Sequence, residues 1–162
     1  MHIISWNVAG WGPTLKHIHS NHKPTDMGSN PPTEKALECW MRDLSVDILC
    51  IQEVKLERKK VQEMAKQLLA RSDEYDVFFA CPGIANGSSS TNNTNSSSSK
   101  QISGGLNGVA TYVKKGRTLK VTTTPLDNGG KLDSEGRCIM TDHGAFVVFN
   151  VYIPNASGGS RL

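Results

Sequence analysis

The sequence predicts an α/β protein, a mixed β-sheet with helices on one face. Three observations carry that expectation. Short β-branched runs alternate with helical periodicity through the first 81 residues, a polar low-complexity tract follows, and hairpin-spaced strands come after it. Strands joined by helices run parallel and strands joined by hairpins run antiparallel, so a sheet holding both is mixed.

The first strand is His2 to Asn7, stopped by Ala-Gly-Trp-Gly-Pro. From Gly12 to Pro32 the chain is rich in Pro, His, Asn and Gly without a period, which predicts a long loop insertion over 12–32. Thr33 then stands as an N-cap before an amphipathic helix whose apolar positions are Leu37, Trp40, Met41 and Leu44. "DILCIQ", Asp47 to Gln52, is the next strand, and Glu57 to Arg71 a second helix with Val61, Met64, Ala65, Leu68 and Leu69 on one face. "DVFFAC", Asp76 to Cys81, completes a β-α-β-α-β run. Residues 86–105 are too polar to bury anything that offsets the entropy of ordering them, so a mobile surface loop is expected. Beyond it, strands are expected at Val109 to Lys114, Lys120 to Thr124, Arg137 to Thr141 and Ala145 to Pro154.

Composition bounds the function loosely. The 162 residues suffice for one domain with a core, and 18 Lys+Arg against 15 Asp+Glu leave a net charge of +3, compatible with a polyanionic partner without announcing one. No apolar run approaches the roughly 20 residues of a membrane helix, and the N-terminus has no signal-peptide pattern, so a soluble, non-secreted chain with no membrane partner is expected. Cys39, Cys50, Cys81 and Cys138 form no CxxC pair and read as buried thiols in a reducing compartment.

Chemistry is expected where strands end on polar residues that a core does not need: Asn7, Glu53, and Tyr152 to Asn155. In open α/β sheets the carboxyl ends of strands present groups from separate strands to one crevice. Asn7 and Glu53 supply hard oxygens, which suit Mg²⁺ better than a closed zinc site. Taken singly, a strand-end Glu such as Glu53 is more often a solvated or helix-start charge, and Asn7 more often a turn former before Gly10.

Five segments in order, "ISWNVAGW", "DILCIQEVK", "GVATYVKK", "LDSEGR" and "FVVFNVYIPNA", resemble the exonuclease III-like class II AP endonucleases of the endonuclease/exonuclease/phosphatase superfamily. "LDSEGRCIMTDH" is most similar to the AP endonuclease 2 branch. The resemblance implies the N-terminal half of a four-layered α/β sandwich, with residues 1–162 a partial domain. It implies Glu53 as a direct Mg²⁺ ligand with Asn7 beside the metal, and Mn²⁺ as an alternative ion. Tyr152 would contact the scissile phosphate, Asn155 would donate a hydrogen bond nearby, and Arg137 would contact DNA. The implied activity is endonuclease or 3′–5′ exonuclease cleavage of double-stranded DNA with abasic sites or blocked 3′ ends, in base-excision repair. The implied location is the nucleus, with the mitochondrion as the alternative.

The family's water-activating Asp, in a "GDxN" motif, and its terminal "SDH"-like motif do not occur after the Tyr strand. A truncated, inactive chain is therefore expected, with one sheet face left bare. Thr141-Asp142-His143 precedes that strand, where a hairpin must turn. Two other readings stay open: a phosphatase of the same superfamily acting on another ester, and a non-catalytic nucleic-acid binder using Lys114, Lys115, Arg117, Lys120 and Arg137 as a basic strip. His17, His19 and His22 are candidate transition-metal ligands.

Overall fold

A computed structural model describes residues 1–22, 33–56, 73–82, 108–128 and 130–154. The expected helix over 57–71, the low-complexity loop 86–105 and Asn155 lie outside these residues.

The first sheet holds β1 (Ile3–Asn7), β2 (Ile48–Gln52), β3 (Tyr75–Ala80) and β4 (Val109–Lys114) in the order β1-β2-β4-β3. β1 and β2 are parallel, with Asn7 opposite Gln52, and β4 inserts antiparallel between β2 and β3. This is the expected mixed sheet. All five residues of β2 are buried because neighbours flank it in the sheet and layers cover both of its faces.

One face is covered by helices. α1 (Trp11–Asn21) and α2 (Thr33–Asp43) put Trp11, Leu15, Ile18, Leu37 and Met41 against Leu49, Ile51, Val77 and Tyr112. Trp11 is wholly buried and its indole N–H donates to the Tyr112 hydroxyl at 3.1 Å. α1 corrects the expected loop 12–32 over its first ten residues. Trp11, Leu15 and Ile18 follow helical spacing, and Pro13 falls in the first turn, where a missing N–H costs nothing. Leu44, expected on the apolar face of α2, follows the helix and is exposed.

The other face is not bare. β5 (Lys120–Thr122), β6 (Cys138–Asp142) and β7 (Val147–Val151) form a second, antiparallel sheet, preceded by a one-turn helix, α3 (Lys131–Ser134). Val148 and Phe146 pack on Ile48, Cys50 and Val113, while Ile139 packs on Ala80 and Val109. The expectation of an exposed inner face is thus corrected: the chain supplies its own covering layer. Apolar exposure lies instead on the outer face of the second sheet, at Val147, Phe149 and Val151.

The four cysteines are free and buried; burial pushes the Cys81 thiol up to about 12 and those of Cys50 and Cys138 to about 11. Among the described residues, no helix is long and apolar enough to cross a membrane.

Far from the polar strand ends, Asp47 ties the start of β2 to its surroundings. Its carboxylate accepts the His2 backbone N–H at 2.7 Å and the Arg117 guanidinium at 2.8 Å. The His2 hydrogen bond first, then the Arg117 charge, hold its pKa below the ordinary carboxylate value. A depressed folded pKa contributes stability that is present above the unfolded pKa and lost as pH falls through the folded one. Asp47→Asn should therefore cost about 1–2 kcal/mol at neutral pH and much less in acid. Urea unfolding at pH 7 and pH 3 checks this.

Candidate functional site

The site begins with how β2 ends. Gln52 is nearly buried, Val54 is fully buried, and Glu53 lies between them. Val54 accepts the Trp11 N–H at 2.9 Å through its carbonyl and donates its own N–H to the Gly108 carbonyl at 3.1 Å. Residue 108 has to be glycine: its φ is 123°, and a Cβ there would stand 2.6 Å from the Val54 side chain. Pinned on both sides, Glu53 takes a left-handed φ of 55° and Lys55 one of 48°. Each such residue costs on the order of 1–3 kcal/mol, and strain of this kind collects at functional sites. Ala9, following β1, is left-handed as well, at 51°.

The turn aims the Glu53 carboxylate out of the sheet's carboxyl edge. Asn7 Nδ2 donates to Oε1 at 2.9 Å, and Lys55 Nζ pairs with Oε2 at 3.0 Å. The Asn7 amide oxygen accepts the Ala9 N–H at 3.2 Å, which fixes which way the amide faces. Tyr152 arrives from the second sheet and lines the same cleft as the Glu53 carboxylate. The Asn7 bond, followed by the Lys55 bond, holds the Glu53 carboxyl below its ordinary value. Burial, followed by the Glu53 charge, pushes the Tyr152 phenol up. Near neutrality the pair is a carboxylate and a protonated phenol, an acceptor beside a donor.

An open cleft of about 680 Å³ lies between the two sheets, with Ser5, Asn7, Gln52, Glu53, Asn150 and Tyr152 among its walls. Its floor is a polar network that sequence reasoning missed. Asn150 is 2% exposed. Its Nδ2 donates to the Ala110 carbonyl at 2.8 Å and to Thr111 Oγ1 at 3.1 Å, across to the first sheet. Its Oδ1 accepts the Gln52 side-chain N–H at 2.7 Å, and Gln52 reaches on to Ser5 Oγ at 3.1 Å. One signal was present: in "VVFNVY" the asparagine shares a strand face with Tyr152, so a polar residue was due to point inward.

Of the residues expected at the site, Asn7, Glu53 and Tyr152 therefore meet. Arg137 is close by: its carbonyl accepts the Tyr152 N–H at 2.8 Å, and its guanidinium pairs with Glu135. Of the basic strip, Arg137 lies apart from the rest. Lys114 and Arg117 lie at the Asp47 end of the first sheet and Lys120 stands opposite Asp142 in the β5–β6 register, whereas Arg137 sits at the opposite, Tyr152 end. Asp142 and His143 serve the β6–β7 turn; Asp142 Oδ1 accepts the Gly144 N–H and His143 stacks on Phe146. On α1, His17 bonds Asn21 while His22 turns to Asp43 of α2, and no group of three metal-ligating side chains gathers among the described residues.

Residues 4–161 match the endonuclease/exonuclease/phosphatase family. The chain belongs to that family. Over 176 aligned positions it is 26% identical to the DNA-(apurinic or apyrimidinic site) endonuclease 2 of Schizosaccharomyces pombe, a match taking in 100% of this chain and 31% of that protein. Two solved structures are similar in fold. The AP endonuclease LMAP from Leishmania major has a TM-score of 0.56 at 22% identity, over 97% of this chain and 41% of that one. An AP endonuclease from Archaeoglobus fulgidus has a TM-score of 0.52 at 23% identity, over 95% and 42%. The expected α/β class is the one these structures share. The chain spans about a third of the length of the curated relative it matches.

Within this family member, Asn150 is the residue whose loss should be felt most widely. Truncation removes the partner of the Gln52 amide and of three acceptors on the first sheet, Ile51, Ala110 and Thr111, at a desolvation cost. Asn150→Ala should destabilise the fold by roughly 2–4 kcal/mol in urea unfolding, well above an exposed control such as Ser20→Ala.

Proposed function

We propose that the chain contributes to a Mg²⁺-dependent phosphodiester hydrolase acting on double-stranded DNA with abasic sites or blocked 3′ ends. The reading covers endonuclease and 3′–5′ exonuclease cleavage in base-excision repair, in the nucleus or, alternatively, the mitochondrion. One observation carries it: Asn7, Glu53 and Tyr152 converge on one cleft from three strands of two sheets. Family membership and the likeness to a protein named DNA-(apurinic or apyrimidinic site) endonuclease 2 support the substrate.

The donor set suits the ion. Glu53 offers one carboxylate and Asn7 an amide beside it, both on the wall of the cleft. A single carboxylate fits Mg²⁺, which keeps most of its waters, with Mn²⁺ as the alternative. When bound, the ion supplies positive charge against the phosphoryl oxygens of an ester that otherwise repels attack. The chain's own residues do the rest of what it contributes. Asn7 and the Gln52–Val54 clamp hold the Glu53 direction, so the carboxylate itself need not turn to meet a cation. Tyr152 donates its hydroxyl to a phosphoryl oxygen, and Asn155 adds a further donor. Arg137 contributes positive charge on the Tyr152 side.

The family's GDxN motif with its water-activating Asp does not follow the Tyr strand within these 162 residues. The 162-residue chain by itself should therefore leave an abasic-site duplex uncut. Exchanged for the matching segment of the Schizosaccharomyces pombe relative, it should yield a protein that cuts the duplex with Mg²⁺. In that protein Glu53→Gln should lower kcat by about 100-fold or more, as expected when a principal charge-stabilising group is lost. Metal-dependent cutting that survives Glu53→Gln would remove Glu53 from the site.

A further inference from the structure

We propose that Lys55 is a built-in counter-cation of the metal position: its ammonium holds Glu53 in the cation-free protein, and a divalent ion takes the carboxylate by displacing it. The inference rests on the reading of Glu53 as a metal ligand and goes beyond it, since it names the group that sets the affinity.

The geometry separates the two carboxylate oxygens. Oε1 is taken by the Asn7 amide, which is itself locked by Ala9, so Oε2 is the oxygen left for a cation. Lys55 Nζ stands on Oε2 at 3.0 Å. An ammonium and a divalent ion on one carboxylate oxygen compete, because two positive charges a few ångströms apart repel where water is partly excluded. Glu53 is 21% and Lys55 35% exposed at the side chain, so the pair is more sheltered than a surface bridge.

The backbone indicates that the pairing is built in. In an extended strand residues i and i+2 point the same way but stand about 7 Å apart. Here both Glu53 and Lys55 are left-handed, with fully buried Val54 between them as the pivot. Two strained residues in three fold the main chain so that the ammonium comes back onto the carboxylate. A lysine needed only for solubility requires no such turn.

The consequence is an exchange of cations on one carboxylate, a singly charged ammonium giving way to a doubly charged ion. Without Lys55, the carboxylate would wait uncompensated beside the Glu53-facing phenol of Tyr152, and would bind divalent ions more readily.

The test is Mn²⁺ titration of the purified 162-residue chain, followed by the electron paramagnetic resonance signal of the free ion. Binding lost in Glu53→Gln defines the site. Lys55→Met should bind Mn²⁺ about three- to fivefold more tightly, the scale expected for removing a partly sheltered ion pair. Lys55→Arg, which keeps the charge, should bind as the wild type does. Lys16→Met, which removes the same charge from the exposed side of α1, should change nothing. Unchanged or weaker binding by Lys55→Met overturns the inference, as does equal tightening by Lys16→Met. Wild-type binding indifferent to Glu53→Gln instead overturns the metal assignment itself, and is recognisable as a separate result.

Discussion

Everything at the cleft depends on one amide, buried where two apolar sheets meet. A side-chain amide taken from water must find partners for its donors and acceptor or impose the full cost of desolvation. Asn150 finds them on four residues of the first sheet, Ile51, Gln52, Ala110 and Thr111. Apolar contact alone would let β7 slide along β2 and β4, since packing between sheets is weakly directional. Hydrogen bonds are directional, and these fix the register. Because strand side chains alternate with a period of two, fixing Asn150 also fixes Tyr152, which follows it on the same face. The phenol then lines the Glu53 cleft without any further device.

The complementary constraint acts on the carboxylate. Glu53 could point anywhere if β2 simply frayed at its end. Burial of Val54 against Gly108 prevents that, and the left-handed turn is the conformation that remains when the residues on both sides are held. Core packing thereby stabilises strain that the local sequence would otherwise relax, and the strain appears as a fixed direction for one charge.

The strands were legible because period-two patterns and β-branched runs survive in any tertiary setting; β4 falls at Val109–Lys114 as expected. Which sheet each strand joins was not legible. A hairpin strand with one apolar face reads alike whether it extends a sheet or lies across one, so the second sheet was mistaken for part of the first. α1 was hidden by composition: Gly12, Pro13 and three histidines suggest a loop, and the buried Trp11–Leu15–Ile18 stripe is too short to outweigh them. Asn7, Glu53 and Tyr152 were found because polar residues at strand ends are conspicuous. Gln52 and Asn150 were passed over because polar residues within strands look like interruptions, when their partners lie about 100 residues away.

A site assembled on a seam couples chemistry to the stability of the seam. Glu53 and Asn7 belong to one sheet and Tyr152 to the other, so no single element carries the whole constellation. Loosening of the inter-sheet contact at Asn150 or Ile139 would separate the phenol from the carboxylate before either sheet unfolds. The loss would look like a catalytic defect while every site residue was still present. The reverse also holds: anything that binds across the seam to both Glu53 and Tyr152 stabilises the packing of the two sheets by its binding free energy. The same buried amide that sets the geometry therefore makes ligand binding and sheet packing one equilibrium.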